Sequence, residues 1–373
     1  MQRILIVVAV ALLAAVAVSG AGTDPAGESL PEGKVHTVAT SHLDTQWRWT
    51  IRTTIDEYLR ATLDDNFALL ERYPDYVFNF EGAFRYQLTQ EYYPERFERV
   101  REYVRQGRWR VCGSWLDAVD VNMPSVESLF RHALYGNGWF ERELGVRSVD
   151  VFLPDCFGFG HALPSVMAHS GLTGFSTQKL SWGSAYGTPF DIGRWRGVDG
   201  SEVIAAVNPG AYVRDLEGDV SRDSTVAAAV ARTVAAGGPP VAYIYHGTGD
   251  TGGAPSESSV QRLAESIASD GPLEVIAAGA DQLYRELTPD QVASLPVYDG
   301  ELVMTSHGVG CYTSQAAMKR WNRRCETLAD AAERAATLAW WLGAGDYPHA
   351  TLERAWTRFL WHGFHDDLTG PSI

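Results

Sequence analysis

The chain has 373 residues, 45% of them hydrophobic and 11% aromatic, with 12 tryptophans; it can bury a large core in one large domain or two, which excludes a stapled minidomain. Forty-six acidic residues against 31 basic ones give a net charge of −15, which disfavours nucleic acid or an anionic membrane as partner and leaves a neutral one. Four cysteines (Cys112, Cys156, Cys311, Cys325) lack CxxC spacing, so a thiolate zinc site is disfavoured and any disulfides cannot be paired from sequence.

The chain opens with MQRILIVVAVALLAAVAVSG, one arginine followed by an apolar run and then small residues. This pattern predicts a cleaved secretory signal over residues 1–21 and a secreted protein, extracellular or periplasmic; a retained N-terminal anchor is the alternative. Residues 22–33 read as a Gly/Pro/Glu-rich leader. From there to residue 290, short apolar runs at 35–42, 76–82, 108–115, 149–155, 174–180, 202–208 and 241–247 alternate with helical spacing at 55–72, 93–106, 126–143 and 226–236. Such alternation predicts an α/β domain with a parallel sheet covered on both faces, open or closed into a barrel. Residues 291–373 change character: 314–345 and 350–365 each carry a long amphipathic pattern, predicting a helical unit.

Polar residues gather where the strands end: His42 and Asp44, Glu81, Trp115 and Asp117, Asp155, Gln178 and Lys179, His246 and Asp250. In a parallel α/β fold the carboxyl ends of the strands face the site, so these residues are expected to converge. In SHLDTQW, His42 and Asp44 are two apart on an extended segment and share a side, so both can face one divalent cation such as zinc; a hydrogen-bonded pair is the plainer reading. In FLPDCFGFGHALP, Asp155 follows a proline at a strand end and reads as nucleophile, ligand or helix N-cap, with Phe157 and His161 beside the same mouth. The loop YHGTGDTGGAP has neither a phosphate-loop nor a dinucleotide spacing and offers Asp250 as its carboxylate. WHGFHDDLTG adds His362, His365, Asp366 and Asp367 after a helix; they can complete a metal site or favour the helix end.

Together HLDTQWRW, GSWLDAVDVNMPSVESLFRHALYG, LPDCFGFGHALP, STQKLSW, GTGDTGG, YTSQAAMKRWNRRCE and FHDDLTG resemble the glycoside hydrolase family 38 α-mannosidases, in the family's order and over nearly the whole chain after the leader. The resemblance implies a seven-stranded parallel (β/α)7 barrel-like domain followed by a small helical bundle. It implies a zinc ion held by His42, Asp44, Asp155 and His365, with Asp155 also the nucleophile and Asp250 the acid/base candidate. Trp47, Phe157, Lys179 and Asp366 match positions lining the family's sugar pocket, whereas Trp49 falls outside the pattern and reads as packing. The implied activity is retaining hydrolysis of terminal α-linked mannose from a glycan. Because family members continue into large β-sandwich domains, the chain is expected to be a fragment or a minimal catalytic core. Glycan binding without turnover and zinc-dependent carbohydrate deacetylation are the other readings.

Overall fold

The computed structural model describes residues 31–373, which form one compact unit. The expected signal sequence and most of the leader lie outside the described residues. Ten strands follow in chain order: β1 (Gly33–Ser41), β2 (Phe78–Glu81), β3 (Trp109–Cys112), β4 (Asp150–Phe152), β5 (Gly174–Ser176), β6 (Ile192–Arg196), β7 (Glu202–Ala206), β8 (Val241–Thr248), β9 (Leu273–Ala277) and β10 (Val297–Asp299). β1 is buried throughout from Val35 to Ser41, as expected of a parallel strand covered on both faces. It pairs with β8 from Lys34↔Val241 to Ser41↔Thr248. On its other side it pairs first with β9 and then with β2, every pairing parallel.

The architecture is mixed α/β with parallel sheets and helices, and it departs from a single seven-stranded ring. The ladders form two five-stranded sheets, β3-β2-β1-β8 with β9 beside β1, and β10-β6-β7-β5-β4. Single backbone bonds stitch the sheets together: Ser114 N donates to Asp150 O at 2.9 Å, and Tyr245 N to Pro209 O at 2.9 Å. Three strands escape a reading by apolar runs. β6 alternates buried Ile192 and Trp195 with Arg194 and Arg196, which bond Glu202 on its antiparallel neighbour β7; a strand interrupted by arginines carries no continuous apolar signal. β9 and β10 are short and partly exposed.

The expected helices form over 51–72, Pro94–Arg105, Val126–Leu144 and Ser224–Ala235. Their ends follow local chemistry. Ser125 Oγ accepts from Ser128 N and Gly145 closes the same helix at φ 69°, while Asp223 caps Ser224–Ala235. The two long C-terminal patterns become Ala316–Trp341 and His349–Trp361, and the second then breaks before a last turn at His365–Leu368. The break is packed into place. A Cβ on Gly363 would lie 2.8 Å from Val119 Cγ2, so a bare residue lets the chain come close enough for Asp120 N to reach Gly363 O at 2.9 Å and His365 N to reach Ala118 O at 3.1 Å. The tryptophans divide by role: Trp109, Trp115, Trp195 and Trp356 are core, while Trp47 and Trp182 line a cavity. All four cysteines are free thiols.

His132, wholly buried on Val126–Leu144, has an unpartnered Nδ1, and burial pushes its pKa down to about 3 from 6.5. The unfolded chain takes up a proton near pH 6.5 that the folded chain refuses, so stability falls as pH drops from 6.5 towards 3, by about 1.4 kcal/mol per unit for this group alone. The thermal midpoint is therefore expected to fall between pH 7 and pH 5, and to fall less in His132→Gln; equal slopes would contradict this assignment.

Candidate active site

The end of β1 explains how His42 and Asp44 come to share a side. Beyond Ser41 the chain stays extended because it remains paired to the loop after β8. His42 N donates to Thr248 O at 3.1 Å, Gly252 N to His42 O at 3.2 Å and Asp44 N to Asp250 O at 2.8 Å. Leu43, between them, points into the core. Asp155 follows β4 and Pro154, and the next helix begins only at Leu163, so Asp155 is no N-cap. His365 arrives from the C-terminal turn, held by its own backbone to Ala118.

These side chains meet. Asp44 Oδ1 lies 3.0 Å from His42 Nε2 and 3.5 Å from His365 Nε2, and Asp155 Oδ2 lies 3.7 Å from His365 Nε2. The two imidazoles stack with centroids 5.4 Å apart. Four ligands about 2.1 Å from a tetrahedral metal stand about 3.4 Å from one another, close to these separations. Each histidine is turned by its other nitrogen: His42 Nδ1 bonds Glu81 Oε1, and His365 Nδ1 donates to Ala118 O at 2.8 Å. That leaves both Nε2 atoms and Asp44 Oδ1 buried without an aligned hydrogen-bond partner; the 3.0 Å approach of His42 to Asp44 lacks hydrogen-bond geometry. Unsatisfied buried polar atoms are costly, and a divalent cation satisfies all of them at once. The ligand atoms fall into two overlapping groups, His42–Asp155–His365 and Asp44–His365–Asp366. Imidazole with carboxylate suits zinc or a similar ion.

The electrostatics fit a cation. Burial works against charge on His42, but Glu81 and Asp44 outweigh it and raise its pKa to about 10; metal and proton therefore compete for Nε2. Burial also works to raise Asp155, yet the His365 imidazole beside it and the charge of Lys179 hold its carboxyl well below the usual range. Asp366 is raised to about 7, chiefly by burial. Behind the site, fully buried Arg85 binds Asp117 Oδ1 at 2.7 Å, the Glu81 backbone oxygen at 3.1 Å and Leu43 O at 2.9 Å through Nε, fixing both the residue that holds His42 and the segment that carries it.

A cavity of about 350 Å³ opens over Asp155, bounded by Trp47, Phe157, Trp182, Asp250 and Asp366. Lys179 Nζ bonds Asp155 Oδ1 and lies 4.2 Å from the Trp182 ring and 5.4 Å from that of Phe157. Tyr212 Oη reaches Asp250 Oδ1 at 2.8 Å and Asp155 Oδ1 at 3.2 Å. Thus His42, Asp44, Trp47, Asp155, Phe157, Lys179, Asp250, His365 and Asp366 converge on one place. Others do not. His161 pairs with Asp299 at 3.0 Å, away from the mouth, and His362 bonds Asp367 outside the cavity. His246 faces Ser259 at 3.2 Å, Asp117 serves Arg85, and Trp115 is core. Trp49 packs edge-on against Tyr58 and donates to Thr54 Oγ1 at 2.9 Å.

Tyr212, outside the motifs, Trp182 and Arg48, inside them but without an assigned role, and His307, outside them, all line the cavity. A tyrosine within the Pro-Gly turn that follows β7 was the available signal for the first. The positions of the last two depend on loop paths that local sequence does not specify.

The sequence model of the glycosyl hydrolases family 38 N-terminal domain matches residues 32–301, and that of the alpha mannosidase middle domain matches residues 309–373. The chain belongs to glycoside hydrolase family 38. It is 33% identical over 341 residues to alpha-mannosidase G of Dictyostelium discoideum, covering 91% of this chain and 30% of that protein. It is 32% identical over 349 residues to human alpha-mannosidase 2C1, covering 93% of this chain and 33% of that protein. The crystal structure of an alpha-mannosidase from Enterococcus faecalis V583 matches with a TM-score of 0.73 at 22% identity, over 92% of this chain and 39% of that one, a likeness of fold. This family 38 chain thus spans about a third of the length of the curated relatives it matches.

Because Glu81 orients the His42 imidazole, Glu81→Gln is expected to weaken Zn²⁺ binding about 10- to 100-fold with the circular dichroism spectrum unchanged. Competition with a chromophoric chelator measures this, and unaltered affinity would remove Glu81 from the ligand-holding role.

Proposed function

We propose that this chain is the catalytic part of a zinc-dependent retaining α-mannosidase that removes terminal α-linked mannose from glycans. The convergence of His42, Asp44, Asp155 and His365 beneath a cavity that also holds Asp250 carries the reading. In it, the α/β part (34–290) supplies all the chemistry except His365 and Asp366, which come from the helical part (291–373). Export through residues 1–21 belongs to the proposal and rests on the sequence pattern; no helix among the described residues is long and apolar enough to cross a membrane.

The spacing of the carboxylates supports retention. Through the single Tyr212 oxygen, Asp155 Oδ1 and Asp250 Oδ1 lie no more than 6.0 Å apart, the sum of its two contacts. Retaining enzymes place the pair about 5 to 5.5 Å apart, and inverting ones about 6.5 to 9.5 Å. Asp155, kept ionised, attacks the anomeric carbon; the glycosidic bond breaks and Asp250 gives its proton to the leaving oxygen. Asp250 then takes a proton from the water that attacks the same carbon and frees Asp155. Zinc held by the four ligands would bind adjacent sugar hydroxyls and favour distortion of the ring. Trp47 and Phe157 offer aromatic faces to the sugar.

A second reading, mannose binding without turnover, draws on the chain's spanning only about a third of its relatives. Hydrolysis of an aryl α-mannoside decides between the two. The proposal expects turnover that a chelator abolishes and zinc restores, with the α anomer released first; an inverted product or indifference to chelation contradicts it, and zinc-dependent binding with no turnover selects the second reading. Asp155→Asn should lower kcat by about 10⁴-fold, whereas Trp49→Phe should leave it within about twofold. Comparable losses in the two variants would contradict the assignment of Asp155.

A further inference from the structure

We infer that Tyr212 positions Asp250 against Asp155 and thereby sets how well the leaving oxygen is protonated, an inference that rests on the glycosidase reading above. Tyr212 lies in the crossover from β7 to β8, where Arg214 and Gly247 exchange backbone bonds of 3.1 and 2.9 Å. Its ring is 2% exposed and stands edge-on to His42, with centroids 5.3 Å apart. It also covers Gly249, where a Cβ would fall 1.9 Å from ring Cε2. A ring clamped in this way has a fixed hydroxyl, and that hydroxyl is 2.8 Å from Asp250 and 3.2 Å from Asp155.

The two carboxylates differ in what else restrains them. Asp155 keeps Lys179 on Oδ1 and His365 beside Oδ2. Asp250 makes no other side-chain hydrogen bond among the described residues, and its backbone is left-handed at φ 63° in a loop that also contains Gly249, Gly252 and Gly253. A non-glycine residue in that region is held by its surroundings rather than by its own preference. Loss of the hydroxyl therefore releases Asp250 and leaves Asp155 in place. Tyr212 keeps its own proton throughout; the proton passed to the leaving oxygen is that of Asp250.

The test compares zinc-loaded wild type and Tyr212→Phe on two substrates, 2,4-dinitrophenyl α-mannoside, whose leaving group departs unprotonated, and methyl α-mannoside, whose leaving group needs the acid. Correct placement of a general acid is worth about 10² to 10⁴-fold. Tyr212→Phe should accordingly lose at least about 100-fold in kcat/KM on the methyl mannoside and less than about fivefold on the dinitrophenyl one. On the latter, kcat and KM should fall together as the glycosyl-enzyme accumulates for want of a base. Gly249→Ala, which pushes the ring from its seat, should show the same dependence on leaving group. Zinc content and thermal midpoint of Tyr212→Phe should match wild type. Equal losses on both substrates, or no loss on either, would overturn the role of Tyr212 while leaving the glycosidase reading intact. A wild-type chain that cleaves neither mannoside would sink that reading and the role of Tyr212 with it.

Discussion

Three carboxylates, Asp44 and Asp366 buried and Asp155 partly so, crowd one small volume together with the imidazoles of His42 and His365, and the rest of the structure answers that crowding. Like charges this close and this dry cannot all remain ionised without compensating cations. Lys179 supplies one on the cavity side. The two imidazoles turn unsatisfied nitrogens towards the same point, so the place is built for a further positive charge. Arg85 supplies the complementary charge behind, where Glu81 and Asp117 are also buried. The arrangement alternates in sign from the core outward, and each layer fixes the orientation of the next.

Backbone geometry turns that electrostatic demand into a shape. The extension of β1 past its last ladder residue aligns His42 with Asp44, and glycines in β8 and in the loop after it keep the facing chain close: a Cβ on Gly247, within the ladder, would lie 1.9 Å from Thr40 O, and one on Gly252, within the loop, 3.3 Å from Leu43 Cδ1. Gly363 does the same for the C-terminal segment, bringing His365 to Ala118. The positions without side chains thus decide where the reactive side chains can stand.

The parallel strands and amphipathic helices that place the site were legible because their patterns are local: a buried run at 35–42 and helical spacing at 126–143 need no knowledge of distant residues. So were the polar residues at strand ends, since His42, Asp44, Asp155 and Asp250 sit where periodicity stops. What was not legible depends on partners far along the chain. His161 and His362 carry the same chemistry as His365 but face Asp299 and Asp367 instead, and nothing beside them in sequence says so. Tyr212 is an ordinary turn tyrosine until the β8 loop folds beneath its ring. The division into two ladders escaped because β6, which joins β7 to β10, interrupts its core residues with arginines.

The order in which the cavity's residues occur along the chain has a consequence for biosynthesis. Of the residues that could hold a metal, His42, Asp44 and Asp155 precede residue 156, while His365 and Asp366 follow some two hundred residues later. On the ribosome, a nascent chain carrying the whole α/β portion would hold His42, Asp44 and Asp155 but neither His365 nor Asp366. Both donor groups that include His365 are complete only once that last helical turn has emerged.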